Sequence, residues 1–304
     1  MMAYTEPGKE IQLLSQIFDG VHGSIYKDVL TESSECVAVK HIPLDVLKRE
    51  RDCQIQRLKA NFDFIANLNH RNLLRQIHHQ ESQHDRYADN EPRFYEVITE
   101  FCEGENLHDF VTTNTITALQ LQHTVGQIVA GLEYLHAQRY AHRDFRGANI
   151  MICVDAWGAP HIKITGMGWI FDALDRRGEE RRERGTLVFV PPERIRGCVV
   201  LEIINGGWPE FYQKDGDLLT EDLPVMMFVG HGGVPTVSPL LQAEIQDFLS
   251  KCLSRNAKDR WVTKDLMKHD FLHCSPETVS TWVLPRPATQ EADIFLYREL
   301  QSSI

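Results

Sequence analysis

No stretch of this chain is long and apolar enough to cross a bilayer. The longest apolar runs, such as Cys198–Ile204, fall far short of the ~20 residues a spanning helix needs. Residues Met1 to Gln12 carry charge and polarity where a secretion signal needs an apolar core. Cysteine spacing is equally uninformative for metal or disulfide frameworks. The seven cysteines (Cys36, Cys53, Cys102, Cys153, Cys198, Cys252, Cys274) form no Cys-x-x-Cys pair and are odd in number. A reducing compartment is therefore expected, and a soluble cytoplasmic chain. Basic charge is also short: Lys+Arg 32 against Asp+Glu 43 leaves a formal net charge of -11. That balance argues against nucleic-acid and anionic-membrane partners, both of which need a basic face. Finally, residues Trp169–Gly185 contain no Ser, Thr or Tyr, only a charged run over Arg176–Arg184, so switching by phosphorylation within that run is excluded.

What is present is the composition of a globular protein. Hydrophobic residues make up 42% and charged residues 25% of 304 positions, close to ordinary domain usage, and the length allows one large domain or two smaller ones. The first hundred residues read as strand and loop text: Cys36–Val39 is rich in β-formers, and Val97–Phe101 is a short buried-strand run. Between them a helix is expected over Val46–Leu68, with Leu58, Phe62, Ile65 and Leu68 at helical spacing. The polar stretch His78–Arg93 reads as a loop joining two strands. Leu119–Ala137 places Leu121, Val125, Ile128, Val129, Leu132 and Leu135 on one helical face. Further helices fit Leu240–Leu253 and Val262–Leu272, and the tail beyond Cys274, with Pro276, Pro285 and Pro287, reads as an extended arm. Strand-rich text followed by helix-rich text indicates an α+β architecture in two lobes.

The most specific string is His142-Arg143-Asp144-Phe145-Arg146-Gly147-Ala148-Asn149, directly after a long helix. It has the form H-R-D-x-x-x-x-N, in which a carboxylate orients a hydroxyl nucleophile and an amide five residues on serves a metal. Upstream, Val37-Ala38-Val39-Lys40 has the form of a strand lysine that steadies nucleotide phosphates. Phe18-Asp19-Gly20-Val21-His22-Gly23-Ser24-Ile25 is similar to a glycine-rich loop over a nucleotide, with Phe18 in place of the first glycine. Ile98-Thr99-Glu100-Phe101-Cys102-Glu103-Gly104 is similar to a hinge with a small gatekeeper, Thr99. Gly185-Thr186 and Pro191-Pro192-Glu193 are similar to the end of an activation segment, and Cys252–Arg260 to a late helical-lobe signature.

Taken in order, these strings resemble the eukaryotic protein kinase family from about Ile11 to Leu272, and the mitogen-activated protein kinase kinase kinases most among its groups. The resemblance implies a two-lobed protein-kinase-like fold: an arm over 1–10, a small β-rich lobe to about 100, a helical lobe over 106–272 and a tail over 273–304. It implies Asp144 as the residue accepting the substrate hydroxyl proton, Lys40 as the phosphate lysine and Arg146 as a partner of the γ-phosphate. It implies an ATP site formed by Gly20, Gly23, Ile25, Ala38, Lys40, Thr99, Glu100, Cys102 and Met151, with Asn149 as a metal ligand. It also pairs Glu193 with Arg260. Arg146 stands where serine/threonine kinases usually carry lysine, while Gly185-Thr186 favours that class.

Three departures weigh against a working enzyme. The tripeptide after the strand His161–Thr165 is Gly166-Met167-Gly168, so the metal-binding aspartate of the family's D-F-G is a glycine with no ligand atom. Asn149 alone is one neutral oxygen and a poor site for Mg²⁺; Asp172, six residues on, is a remote candidate replacement. Counting back from Leu68-Asn69-His70-Arg71-Asn72-Leu73, the helix glutamate that should pair with Lys40 is Asn61, and Asp63 lies toward the opposite side of the helix. After Glu193 the chain runs straight into Gly197–Ile204, and the start of the family's buried helix, with the aspartate that braces the catalytic loop, is missing. The expectation is a pseudokinase: a scaffold or allosteric partner of other signalling proteins, kinases among them, with weak ATP binding and no Mg²⁺. The alternative is an active serine/threonine kinase of the kinase-kinase-kinase type. A small-metabolite kinase has little support beside Glu193 and Arg260.

Overall fold

The computed structural model describes residues 2–4, 10–19, 23–30, 34–44, 51–81, 94–142, 144–154, 160–167, 171–172, 192–212, 218–219, 228 and 233–284. They fall into two compact units, Met1–Glu103 with Met167–Ile170, and Gly104–Gly166 with Phe171–Ile304.

The first unit is a six-stranded antiparallel sheet with one helix. Its elements are β1 (Met2–Tyr4), β2 (Glu10–Phe18), β3 (Ser24–Leu30), β4 (Cys36–Pro43), α1 (Arg51–Ile65), β5 (Gln76–Glu81) and β6 (Phe94–Glu100). The strand order is β1-β2-β3-β4-β6-β5. Alternation along β4 decides how the sheet packs, because successive side chains leave a strand on opposite faces. Val37 and Val39 are buried with Leu30 and Ile98, and Ile77 packs against them. Ala38 and Lys40 therefore stand on the other face. On that face Tyr95 stacks on Phe62 of α1 with ring centroids 5.6 Å apart, and Leu58, Phe62 and Ile65 are buried as their spacing predicts. The helix is α1 over Arg51–Ile65 rather than Val46–Leu68; residues 45–50 lie outside the described residues. His78–Glu81, read as loop, are the last four residues of the six-residue strand β5. Their polar composition hid a strand whose backbone is fixed by pairing to β6.

The second unit is mainly helical: β7 (Gly104–Asn106), α2 (Leu107–Thr113), α3 (Ala118–Ala137), β8 (Tyr140–Ala141), β9 (Ile150–Val154), β10 (Pro160–Ile164), β11 (Phe171–Asp172), α4 (Pro192–Asn205), α5 (Ala243–Leu253), α6 (Thr263–Leu266) and α7 (Pro276–Val279). Thr117 and Gln120 close a capping box at the start of α3, satisfying two otherwise orphaned backbone donors. All six apolar positions expected on its inner face are buried. Across the core, α5 buries Ile245, Phe248, Leu249, Cys252 and Leu253. The helix expected over Val262–Leu272 is instead α6, one turn long, followed by a 3₁₀ turn at Asp270–Leu272. The break comes at His269, whose Nδ1 accepts the Phe271 N–H and whose Nε2 lies 3.1 Å from Asp247. The buried ring thus caps a new turn instead of continuing the old one. Nor is the segment after Cys274 wholly extended. Pro276 sits at the start of α7 and the Ser275 hydroxyl accepts the Thr278 N–H, a helix start of ordinary chemistry. Residues 285–304 lie outside the described residues. Among the described residues no helix is long and apolar enough to cross a membrane.

Candidate functional site

The first unit supplies one group of candidate residues through strand register. Ile25 faces Lys40 across β3 and β4, and Ala38 faces Thr99 across β4 and β6. Side chains directly opposite share a face, so Ile25, Ala38, Lys40 and Thr99 stand together opposite the Val37–Val39 core. Gly23 has φ +111, and a Cβ there would lie 1.9 Å from the His41 carbonyl oxygen, so the β3 entry admits only glycine. The Ser24 hydroxyl donates to Asp19 at 2.7 Å, tying the two ends of the glycine-rich segment. Gly20 lies outside the described residues. Phe18, in the place of the first glycine, is 57% exposed. At the hinge, Glu100 accepts the Arg75 N–H on its carboxylate at 2.7 Å and donates its own N–H to the Arg75 carbonyl. The Thr99 hydroxyl donates to the Glu100 carbonyl at 3.2 Å, and Cys102 is half-buried beyond it.

Asn61 is half-buried on α1. Asp63, the nearby acid, is engaged elsewhere: its carboxylate lies 3.2 Å from His79 Nε2. His79 Nδ1 in turn lies 2.7 Å from the Tyr95 hydroxyl. Burial holds the imidazole below its ordinary pKa against the pull of Asp63, and burial followed by Asp63 pushes the Tyr95 phenol up. A neutral His79 that donates to Asp63 and accepts from Tyr95 satisfies all three groups. Sequence reasoning missed this relay, whose central residue, His79, lies in the stretch read as loop.

The second unit supplies the other group. His142 is buried, and burial lowers its pKa despite its bond to the Thr165 carbonyl and the charge of Asp144. The neutral ring donates from Nε2 to that carbonyl at 2.6 Å and accepts the Asp144 N–H on Nδ1 at 3.3 Å. Phe145 is buried edge-on to it. A 3₁₀ turn over Gly147–Asn149 then feeds β9, and the Asn149 carbonyl accepts the Thr165 N–H at 2.8 Å. The Asn149 amide nitrogen donates to both the Asp144 carbonyl at 2.7 Å and the Asp144 carboxylate at 2.8 Å. Arg146 Nε lies 3.7 Å from the other carboxylate oxygen. Met151 sits half-buried on β9, paired with Lys163 of β10 and Asn106 of β7.

Gly166 completes this group. Its φ is +75, and a Cβ there would meet the Asn149 carboxamide at 2.8–2.9 Å. The space an aspartate stem would need is taken by the amide of Asn149. Asp172 is held by its backbone in β11, opposite Tyr140. Among the described residues no three His, Cys, Asp or Glu side chains stand close enough to hold a metal. A hard cation such as Mg²⁺ wants several oxygen ligands, carboxylates above all. This donor set, one amide oxygen beside a carboxylate already engaged on both oxygens, does not fit it. The Arg260 guanidinium donates from Nε to the Ser254 carbonyl at 3.0 Å; the Glu193 side chain, its expected partner, lies outside the described residues.

Sequence reasoning also missed Glu202, an acid inside the apolar run Cys198–Ile204. It is 3% exposed, and its carboxylate lies 2.6 Å from His108 Nδ1 on α2. The one signal available was the charge itself in an otherwise apolar helix.

Two groups set out in this way, with a lysine and apolar wall on a strand-rich unit and a His-Arg-Asp loop with its asparagine on a helical one, define the protein kinase class. The family described as Protein kinase domain matches residues 11–272, and the chain belongs to it, with the α+β, two-lobed kinase fold. It is 26% identical over 288 residues to the serine/threonine-protein kinase pakA of Talaromyces marneffei, covering 89% of this chain and 41% of that protein. It is 28% identical over 239 residues to mitogen-activated protein kinase kinase kinase 18 of Arabidopsis thaliana, covering 72% of this chain and 66% of that protein. Similarity to MAP3K epsilon protein kinase 1 of the same plant is 23% over 276 residues, covering 86% of this chain and 18% of the relative. The chain thus spans less than half the length of pakA and less than a fifth of the last.

Proposed function

We propose that this chain is a pseudokinase of the serine/threonine class that acts as a scaffold or allosteric partner of other signalling proteins, kinases among them, in the cytoplasm. The observation that carries the reading is the Asn149 amide, hydrogen-bonded to Asp144 and filling the space beside Gly166. The residue types of a nucleotide site persist. Adenine needs apolar walls and hinge backbone rather than a metal, and Ile25, Ala38, Thr99, Glu100, Cys102 and Met151 supply that chemistry, with Lys40 for phosphate. ATP binding is accordingly weak and insensitive to Mg²⁺. Metal stabilisation of a transferring phosphoryl group supplies several kcal/mol, and each ~1.4 kcal/mol is tenfold in rate. Its loss lowers transfer by about a thousandfold or more.

The second reading is an active kinase of the mitogen-activated protein kinase kinase kinase type, with Asp144 as base and Arg146 on the γ-phosphate. It is favoured by the survival of Lys40, Asp144 and Asn149. A thermal-shift titration with ATP separates the two. A small stabilisation, equal with and without Mg²⁺, is expected; tight binding that requires Mg²⁺ would show that another ligand does the work of the missing aspartate.

A further inference from the structure

The start of the family's buried helix, with the carboxylate that braces the catalytic loop, is missing from this sequence, yet the loop does have a buried carboxylate against it. Gly147 opens the 3₁₀ turn that carries Asn149. A Cβ on Gly147 would lie 2.5–2.7 Å from the carboxylate atoms of Glu202. An ideal Cβ there would force the buried carboxylate, held by His108, to shift, so the glycine leaves the room that Glu202 occupies. Glu202 is itself fixed from the far side by His108, at 2.6 Å, with the two side chains 5% and 4% exposed. Helix α2 supplies the histidine, α4 the glutamate and the loop the glycine, so three elements meet at one carboxylate. Burying a carboxylate is costly unless a partner is held in good geometry, and a purely apolar residue would pack in α4 at less cost.

We propose that Glu202, oriented by His108, is the positioning residue that sets the catalytic loop through Gly147, in place of the aspartate missing from the front of the helix. This role holds whether or not the chain transfers phosphate. On this proposal the loop keeps a carboxylate brace despite the shortened helix.

The size match makes the proposal testable by suppression. Hydrogen exchange of the full chain is followed in peptides covering 144–149, with peptides from α5 as the internal control. Glu202→Asp withdraws the carboxylate by one methylene and should speed loop exchange at least tenfold, leaving α5 unchanged. Gly147→Ala forces the loop off the carboxylate and should do the same. In the double variant the shorter acid makes room for the methyl, so Glu202→Asp should slow loop exchange when Ala occupies 147. This reversal of sign is not expected of a residue that merely fills the core. Equal effects of Glu202→Asp in both backgrounds, or no loop effect from either single change, would overturn the proposal. If Gly147→Ala does not fold, His108 decides. His108→Asn keeps a nitrogen donor near the Nδ1 position and should retain loop protection, whereas His108→Leu should lose it; identical loop exchange in those two variants would equally overturn the role.

Discussion

Asn149 gives its amide nitrogen to the carboxylate of Asp144 at 2.8 Å, and the same carboxamide lies where a side chain on Gly166 would begin. The glycine and the hydrogen bond depend on one another. A Cβ at 166 would push on the amide, and an amide turned away would leave a void beside a left-handed backbone. The Asn149 nitrogen is the engaged atom, and the pairing ties together the two polar side chains of the loop.

Restoring the family's aspartate at Gly166 is therefore expected to harm the protein before it helps. The backbone there has φ +75, and the new Cβ arrives 2.8 Å from Asn149. Aspartate tolerates the left-handed region better than most residues, but residues held there cost of order 1–3 kcal/mol. Urea unfolding of Gly166→Asp should show a loss of about 1–3 kcal/mol, with no Mg²⁺-dependent ATP binding gained. An unchanged midpoint together with Mg²⁺-dependent binding would show that Asn149 yields freely.

Much of the fold was legible because it rests on periodicity. The six apolar positions of α3 are dictated by which side chains can leave water and stand as read, and the β-rich text Cys36–Val39 opens strand β4. Strand β5 was hidden because its His and Gln side chains carry no alternating signal, its place being set by backbone pairing to β6. The break at His269 depends on a ring-to-backbone bond that spacing does not encode. In the candidate site, the residue types came from motifs, but the Asn149–Asp144 bond and the Glu202–Gly147 contact are three-dimensional matches of size. A lone glycine in a sequence does not say what fills the space its side chain leaves.

Stability should fall on acidification through His142. Burial holds its imidazole below the ordinary 6.5, so below that pH the unfolded chain binds a proton that the folded chain refuses. The contribution is full above about pH 6.5 and is lost as pH falls through the lowered folded value. Denaturation midpoints between pH 7.5 and 5 should fall less steeply for His142→Phe than for the unaltered chain. Parallel slopes would mean that His142 is protonated in the fold.

The helical unit depends on Phe248, which is 1% exposed and packs on His269 and Phe271 with centroids 5.2 Å away. Phe248→Ala should cost about 3–5 kcal/mol, a large share of the ~5–15 kcal/mol typical of a native protein. Chemical denaturation followed by circular dichroism measures it, and a loss below about 1 kcal/mol would mean that the site collapses around the cavity.

The most direct measurement is transfer of the terminal phosphate of radiolabelled ATP, to itself and to a generic protein substrate, by the purified chain and by Asp144→Asn in parallel. Asp144 is engaged by Asn149 and flanked by Arg146 at 3.7 Å, so transfer indistinguishable between the two proteins and near background is expected. Robust transfer by the unaltered chain, abolished in Asp144→Asn, would contradict the pseudokinase proposal and establish the active kinase.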